Sequence, residues 1–242
     1  GAEWRHAKKG SDWGSQGVPL AQWAGVERAD PSEYGYDGYD GYDENGAGRE
    51  AGAGPQAGTV AGVQGAGAGP PEYWELDLDD FGLDGELPAA LGEWRELVYC
   101  SCEENRLRGS IPPELGRLSE LRALLLRKNQ LTRSVPRELA GLGHLTHLVL
   151  SHNALTGAIP PELGQMASLT HLYLDHNALT GQIPPELCRV RTLRALLLDH
   201  NELEGEIPAP LLDARFVRFG YAGNPRLRLP RGYVAVHDVT HE

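Results

Sequence analysis

Leucine and asparagine recur along most of the chain with a fixed period. The leucines follow the frame LxxLxLxxNxLxGxIPxxL, which is clearest in the segment LTHLVLSHNALTGAIPPELGQMAS. The residues Asn105, Asn129, Asn153, Asn177 and Asn201 are spaced 24 residues apart. Because side chains alternate between the two faces of a strand, the L-x-L part predicts a short strand with its leucines pointing inward. A lone copy could not bury them, so the pattern predicts coils that stack into a solenoid with a continuous core.

The positions after each strand have physical roles that fit the same prediction. The Asn is expected to turn the chain and to satisfy buried backbone groups of its own and the neighbouring coil through its side-chain amide. Stacked one period apart, these residues form a structural ladder of Asn105, Asn129, Asn153, Asn177, Asn201 and, after a step of 23 residues, Asn224. The Gly that follows permits a tight turn. The Ile-Pro-Pro segment buries its Ile and begins a short helical turn on the convex side.

The frame resembles the plant-specific class of leucine-rich repeats, which is found in receptor-like kinase ectodomains and polygalacturonase-inhibiting proteins. The resemblance covers residues 73–224, which hold six 24-residue repeats and a short terminal one. It implies an α/β solenoid, a right-handed superhelix with short parallel strands on the concave face and 3-10 or irregular turns on the convex face. Arg133 replaces the turn Gly of its repeat, and Cys100 and Cys102 replace core leucines. Neither departure breaks the register.

Segments on either side of the repeats are expected to cap the core or to stay outside it. Residues 1–29 contain three tryptophans and the sequence WAGV, which resembles the WxGV element that precedes plant-type repeats, so we expect an N-terminal cap. Residues 30–72 are rich in Gly, Ala, Tyr and Asp and nearly lack large aliphatic side chains. This composition predicts a disordered insertion between a cap strand near Val26 and the strand that begins at Tyr73. Residues 225–242 are predicted to form a C-terminal tail.

Composition narrows the classes of function. The formal net charge of -12 argues against a nucleic-acid partner, since phosphate binding needs a concentrated basic face. The chain holds 3 cysteines without the paired spacing of a zinc site, and it has no apolar run of membrane-spanning length. No hydrolase elbow, HExxH pair or phosphate-binding loop is present. We therefore predict a protein that is not an enzyme, needs no cofactor and is monomeric in isolation.

Columns of variable side chains project from the predicted concave strands, where a partner is expected to bind. One column, between the paired leucines, is apolar and predicted to face solvent, and exposed apolar stripes tend to be interfaces. Tyr173, flanked by His147 and His171, is the predicted centre because amphipathic aromatic side chains anchor hot spots. The alternative is that the column packs sideways and stiffens the sheet. The predicted partner-binding residues are Tyr99, Leu125, Arg127, His147, Val149, His171, Tyr173, Asp175, Leu197 and Asp199.

Histidines form a second feature of these columns. His152, His176 and His200 are expected to stack about 5 Å apart, with Asp175 and Asp199 beside them. These are the residue types of a metal site, but repeat duplication copies residues without selecting a site, so the sequence predicts no bound metal. A surface that responds to pH is favoured instead, because stacked imidazolium groups repel one another below about pH 6.5.

Charge changes sign along the repeats. Residues 73–104 carry ten acidic side chains and one basic side chain, whereas residues 106–137 carry eight Arg or Lys. This polarity either orients a partner with the opposite pattern or forms a solvated surface that keeps the protein soluble.

The sequence leaves more than one class of function open. The first is a protein-interaction module that binds a protein or peptide, as in a receptor-like or signalling protein. The second is an inhibitor or carbohydrate-facing defence protein, although the mixture of His, aliphatic and acidic side chains does not form a sugar platform. The chain also fits the repeat region of a larger kinase or GTPase. A receptor-like ectodomain would be extracellular, whereas the odd number of cysteines and the absent cap disulfide leave the cytoplasm open.

Overall fold

Two sheets extend along the repeats, and within the repeats the strands of each sheet are parallel. The computed structural model describes residues 12–13, 26–29, 73–214 and 216–233. In chain order the strands are β1 (Asp12–Trp13), β2 (Val26–Ala29), β3 (Tyr73–Asp77), β4 (Asp84–Glu86), β5 (Leu97–Ser101), β6 (Arg106–Ser110), β7 (Ala123–Leu125), β8 (Gln130–Arg133), β9 (His147–Val149), β10 (Ala154–Ala158), β11 (His171–Tyr173), β12 (Ala178–Gly181), β13 (Ala195–Leu197), β14 (Glu202–Glu206), β15 (Arg218–Gly220) and β16 (Arg226–Arg228). The 3-10 helices are Ala89–Glu93, Pro113–Arg117, Arg137–Gly141, Pro161–Gln165 and Pro185–Arg189, and the short helix α1 is Ala209–Leu212.

The first sheet, which we call the concave sheet, contains the strands that the L-x-L pattern predicts. Its order is β15-β13-β11-β9-β7-β5-β3-β2. Within the repeats the strands pair in parallel, so that Leu124 lies opposite Leu148 and Leu148 lies opposite Leu172. At one edge β2 pairs antiparallel with β3, with Val26 opposite Leu76. Residues one period apart are therefore neighbours, and the predicted solenoid of stacked coils is confirmed.

The second sheet lies where the sequence predicts only turns. Its order is β1-β4-β6-β8-β10-β12-β14-β16. Its strands follow the ladder asparagines, and Leu131, Leu155 and Leu179 point inward from them and are fully buried. Backbone groups beside a buried leucine need hydrogen-bond partners, and the next coil presents the same segment at the same height. The repeats therefore form a ladder on this side as well.

Leucine and isoleucine fill the space enclosed by the sheets and the 3-10 helices. Leu121, Leu124 and Leu126 are fully buried, and so are their equivalents in the next two repeats. Cys100 and Cys102 are also fully buried and take the places of leucines in their coil. A hydrogen bond with Cys100 and burial raise the pKa of the Cys102 thiol well above its usual value. These two cysteines therefore act as small core residues.

The convex side, where the 3-10 helices stack, is closely packed except at one open cavity in the described part of the chain. Gly92, Gly116 and Gly164 lie where the next coil approaches so closely that an added Cβ would overlap a Glu carbonyl oxygen. Ala140 occupies the same position of its repeat. Beside it an open cavity of about 570 Å³ lies over the 3-10 helix Arg137–Gly141. We attribute the cavity to the Ala140 methyl group, which prevents the next coil from making the same close approach.

The ladder asparagines link each coil to the one before it. The Nδ2 group of Asn129 donates to the carbonyl oxygen of Cys102 at 2.8 Å, one coil back. The Oδ1 atom of Asn129 accepts from the backbone N–H of Leu107 at 2.9 Å, also in the preceding coil. Equivalent pairs of hydrogen bonds are made by Asn105, Asn153, Asn177, Asn201 and Asn224. The Nδ2 group of Asn129 also donates to the Leu126 carbonyl oxygen of its own coil at 3.2 Å, so each amide satisfies backbone groups in two coils.

The predicted cap, insertion and tail lie largely outside the described residues. Of residues 1–29 only β1 and β2 are described, residues 30–72 lie outside entirely, and the tail is described through Tyr233. The predicted domain boundaries therefore stay predictions. In the described part of the chain the cysteines are free thiols, and no helix there is long and apolar enough to cross a membrane.

Candidate functional site

The concave sheet aligns the predicted binding residues in rows that cross neighbouring strands. Leu125 lies opposite Val149, and His147 lies opposite His171. Tyr173 lies between Val149 on one side and Leu197 on the other. We call the surface formed by the predicted binding residues, from Tyr99 to Asp199, the concave strip. Its residues come from five consecutive repeats, yet the register of the sheet makes them adjacent.

The prediction that the apolar column faces solvent is wrong. Leu125 and Val149 are 0% exposed and Tyr173 is 6% exposed, and these side chains form a cluster with Ala123 and Ala195. Parallel strands lie only about 4.8 Å apart, so large apolar side chains in one column touch their neighbours one repeat away and exclude water. The column therefore stiffens the sheet, and its members other than the half-buried Leu197 offer little surface to a partner.

Two polar members of the concave strip are also buried. Arg127 is 4% exposed and Asp175 is 9% exposed. The half-buried residues of the strip are Tyr99, His147, His171, Leu197 and Asp199. The surface available for contact is consequently a mixture of aromatic, imidazole, aliphatic and carboxylate groups, and it surrounds Tyr173 without exposing it.

Two histidines stack on this surface. The rings of His147 and His171 lie 4.3 Å apart at an interplanar angle of 7°. The Thr146 hydroxyl donates to the Arg122 carbonyl oxygen at 2.8 Å and lies 2.8 Å from His147 Nδ1. Because a hydroxyl has one proton, this geometry assigns the hydrogen of the neutral ring to Nδ1. Thr170 repeats both contacts with Thr146 and His171. Burial and the charge of His171 lower the pKa of His147 to about 4.

Carboxylates at the ends of the concave strands accept hydrogen bonds from a neighbouring coil. Asp79 accepts hydrogen bonds from the Ser101 hydroxyl at 2.5 Å and from the Glu103 N–H at 2.6 Å. Asp175 accepts from the Ser151 hydroxyl at 2.5 Å. Asp199 accepts from the Ala222 N–H at 2.9 Å. Burial raises the pKa of Asp79 and of Asp199.

The residue before each ladder Asn has a backbone conformation that the sequence did not reveal. Glu104, Lys128, His152, His176 and His200 have φ values between 51° and 55°, and Asp80 has φ of 54° before Phe81, which stands where the first repeat lacks the Asn. This left-handed region is uncommon for residues with a Cβ, although Asn, Asp and His adopt it more often than other residues do. Gly223, with φ of 68°, occupies the same place in the last repeat and is the one signal of this conformation in the sequence. The strained backbone fixes the direction in which the three histidines leave the chain.

The acidic and basic segments of the repeats partly neutralise each other. Lys128 Nζ lies 2.6 Å from Glu104 Oε1, and Arg108 Nη1 lies 2.5 Å from Asp84 Oδ1. The hydrogen bond with Lys128 lowers the pKa of Glu104. These pairs join neighbouring coils, so part of the charge is used within the solenoid.

Comparison with known protein families identifies two segments of the repeats. A family model described as "Leucine rich repeat" matches residues 103–155, and a second with the same description matches residues 168–190. Comparison with curated proteins found no match.

Solved structures similar to the fold include receptors from plants. The leucine-rich-repeat ectodomain of the plant membrane receptor kinase GASSHO1/SCHENGEN3 from Arabidopsis thaliana, in complex with CASPARIAN STRIP INTEGRITY FACTOR 2, is 36% identical with a TM-score of 0.62. The match covers 63% of this chain and 18% of that one. The plant peptide hormone receptor RGFR1, in complex with RGF2, is 35% identical with a TM-score of 0.58, over 61% of this chain and 23% of that one.

A third structure is closer to this chain in length. Pollen Receptor Kinase 3 is 30% identical with a TM-score of 0.60, and the match covers 67% of this chain and 78% of that structure. The chain thus spans about a fifth of the two larger receptors and most of this one.

Proposed function

We infer that this chain, which belongs to the leucine-rich-repeat family in its plant-type class, is a non-catalytic module that binds a protein or peptide on its concave face. The observation that carries the proposal is the register of the concave sheet. It aligns His147 with His171 and Tyr173 with Leu197, so that residues 24 positions apart form one continuous surface.

The chemistry of the concave strip suits a peptide better than a small molecule or a sugar. Its half-buried residues combine the imidazole rings of His147 and His171, the aliphatic Leu197 and the carboxylate of Asp199. Amphipathic side chains of this kind bind extended peptides through apolar contacts and hydrogen bonds together. The buried apolar column beneath them keeps the sheet rigid, so a partner would meet a preorganised surface.

The similar receptors support the same class of partner. RGFR1 is described as a peptide hormone receptor and is bound to RGF2, and the GASSHO1/SCHENGEN3 ectodomain is bound to CASPARIAN STRIP INTEGRITY FACTOR 2. By analogy we expect this chain to recognise a segment of a few residues that lies across several concave strands. A receptor-like role in signalling follows from the same analogy.

A peptide selection on the purified chain tests this proposal. A displayed random peptide library is selected on the immobilised protein, and the affinity of each selected peptide is measured for the wild type, for His171→Ala and for Leu197→Ala. The matched control is Gln165→Ala, which removes an exposed side chain from the 3-10 helix Pro161–Gln165 on the convex side.

We expect His171→Ala and Leu197→Ala each to weaken binding by about tenfold, since interface hot spots contribute 1–2 kcal/mol or more. Gln165→Ala is expected to change affinity less than about twofold. Circular dichroism verifies that each variant is folded. Selected peptides that bind both concave variants as well as they bind the wild type, but lose affinity with Gln165→Ala, would refute the assignment of the concave face.

A further inference from the structure

Three side chains with metal-binding atoms meet at the end of the concave strands. We call His152, Asp175 and His176 the rim cluster. The Nδ1 atom of His176 lies 3.0 Å from Asp175 Oδ2, and the Nε2 atom of His152 lies 3.9 Å from the same oxygen. One ligand atom from each residue lies within 4.8 Å of the others. Among the described residues, no other group of three or more His, Cys, Asp or Glu side chains has such a spacing.

The surrounding structure holds the rim cluster in place. The Ser151 hydroxyl donates to Asp175 Oδ1 and leaves Oδ2 directed at the two histidines. The rings of His152 and His176 stack with their centroids 4.1 Å apart, and both residues have left-handed backbones that fix their side-chain directions. The side chains of His152 and His176 are 35% and 43% exposed, whereas the side chain of Asp175 is 12% exposed. The cluster therefore has a buried carboxylate at its base and opens to solvent above.

Copying of the repeat does not explain the cluster by itself. The next repeat repeats the same residues as His176, Asp199 and His200. There the Asp199 carboxylate turns away, because Gly220 in the following coil has no side chain to exclude it and the Ala222 N–H donates to it. Two Asp-His-Asn triplets of the same sequence thus have different surroundings: Asp175 accepts from the Ser151 hydroxyl, whereas Asp199 lies against Gly220.

We propose that the rim cluster is a binding site for a divalent transition-metal ion, with Zn²⁺ as its occupant. Two imidazole nitrogens and one carboxylate oxygen are the ligands that Zn²⁺ takes, whereas Ca²⁺ and Mg²⁺ prefer oxygen alone. Ligand atoms bound at about 2.0–2.2 Å in a tetrahedral site lie about 3.3–3.5 Å apart. The distance between His176 Nδ1 and Asp175 Oδ2 is already close to this value, and rotation of the half-exposed His152 ring out of its stack on His176 turns Nε2 toward the ion.

The site binds with three protein ligands and keeps a fourth position open. That position faces solvent beside the concave strip, where water or a side chain of a partner completes the tetrahedron. The positive charges of Arg127 and Lys128, which act on His152 from the preceding coil, oppose the ion and weaken its binding. The inference does not depend on the proposed peptide binding, since the three ligands belong to this chain.

Calorimetric titration of the full chain with ZnCl₂ at neutral pH tests the site. Three variants remove one ligand each: His152→Gln, His176→Gln and Asp175→Asn. Three matched controls remove side chains outside the rim cluster: His147→Gln from the other stacked pair, and Asp199→Asn and His200→Gln from the copied segment. Cys188→Ser in every protein removes the half-buried thiol as a competing ligand.

We expect each ligand substitution to weaken Zn²⁺ binding at least about tenfold, and each control substitution to change it less than about threefold. Thermal unfolding with and without ZnCl₂ gives a second readout, because an ion that binds only the folded state raises its stability. Equal losses from Asp199→Asn and Asp175→Asn, or binding that survives all three ligand substitutions, would overturn the proposal. No detectable binding to the wild-type chain would overturn it as well.

Discussion

At the scale of the residue, backbone conformation limits what each repeat position can hold. The turn positions Gly109, Gly157, Gly181 and Gly205 have φ values between 76° and 84°. Arg133 adopts φ of 65° at the equivalent position of its own repeat. A side chain is therefore tolerated there, but the left-handed region costs about 1–2 kcal/mol for residues with a Cβ.

Gly181→Ala isolates this cost. An added Cβ would lie 3.5 Å from the Ala158 Cβ, which is an ordinary contact, so only the backbone conformation opposes the change. We expect the free energy of unfolding to fall by about 1 kcal/mol in urea denaturation. The control is Gly143→Ala, at a glycine without positive φ and with nothing within 4 Å of the added Cβ, where stability should stay equal or rise slightly. Equal losses at both positions would contradict the explanation.

At the scale of the element, the 3-10 helices approach the next coil most closely where the coil has a glycine, at Gly92, Gly116 and Gly164. An added Cβ on Gly164 would overlap the carbonyl oxygen of Glu186 in the next coil. Overlap with backbone cannot be relieved by a side-chain rotation, so the two coils must separate. Ala140 already has this methyl group, and the cavity beside it is the structural result.

Gly164→Ala is expected to lower the free energy of unfolding by about 2 kcal/mol or more, as overpacking in a filled interior does. Ala140→Gly allows the next coil to approach the 3-10 helix more closely. The free energy of unfolding of this variant should change by less than about 1 kcal/mol. Denaturant unfolding of both variants measures the difference. A loss at Ala140→Gly as large as that at Gly164→Ala would contradict the attribution of the cavity to Ala140.

The pairing of β9 with β11 also determines how the free energy of unfolding depends on pH, because it places His147 beside His171. The folded-state pKa of His147 is about 4, below the ordinary value of 6.5, so the unfolded chain binds the proton more readily. The stabilisation is complete above about pH 6.5 and is lost as pH falls toward the folded pKa. Between pH 7.5 and pH 5 we expect a loss on the order of 2 kcal/mol from this residue.

Urea unfolding of wild type and His147→Gln at several pH values checks this expectation. The variant cannot take up a proton at this position, so its stability should fall less over the same interval. Asp79 and Asp199, whose pKa values burial raises, act in the opposite direction in both proteins. Parallel pH profiles for the two proteins would show that the buried imidazole is not the cause.

At the scale of the whole molecule, the stacking of the coils was predictable from the sequence. The burial of side chains against neighbouring coils was not. The spacing of Asn129, Asn153 and Asn177 predicted the solenoid because one period determines which residues become neighbours. The alternation of the strand placed Leu124 inside, but it did not show that Leu125 on the opposite face is buried as well. That burial depends on the neighbouring coils, which a pattern within one repeat does not describe.

The second sheet escaped prediction, whereas the residues of the rim cluster were expected to lie together although the sequence predicted no bound metal. The hydrogen bonds of β8 and β10 form between coils. No alternation of apolar and polar residues within one coil predicts these strands. The Asp-His-Asn triplets that begin at Asp175 and Asp199 are the same in sequence, whereas residues beside them in adjacent coils, Ser151 and Gly220 among them, differ. The prediction of no bound metal rested on repeat duplication as the origin of these histidines and aspartates, and duplication does not describe how neighbouring coils position each aspartate.

The stacked solenoid and its binding surface both require residues one period apart to be in contact, and an engineered disulfide measures this directly. His147→Cys with His171→Cys, in a Cys188→Ser background, places two thiols on paired strands about 4.8–5.5 Å apart at Cα, within the range that a disulfide spans. His147→Cys with Ala195→Cys, two periods apart, separates them by about 9–10 Å, beyond that range. Mass spectrometry after mild oxidation should find an intramolecular disulfide in the first protein and little in the second. Equal cross-linking in both, or none in the first while it remains folded, would contradict the stacked solenoid and the binding surface built on it.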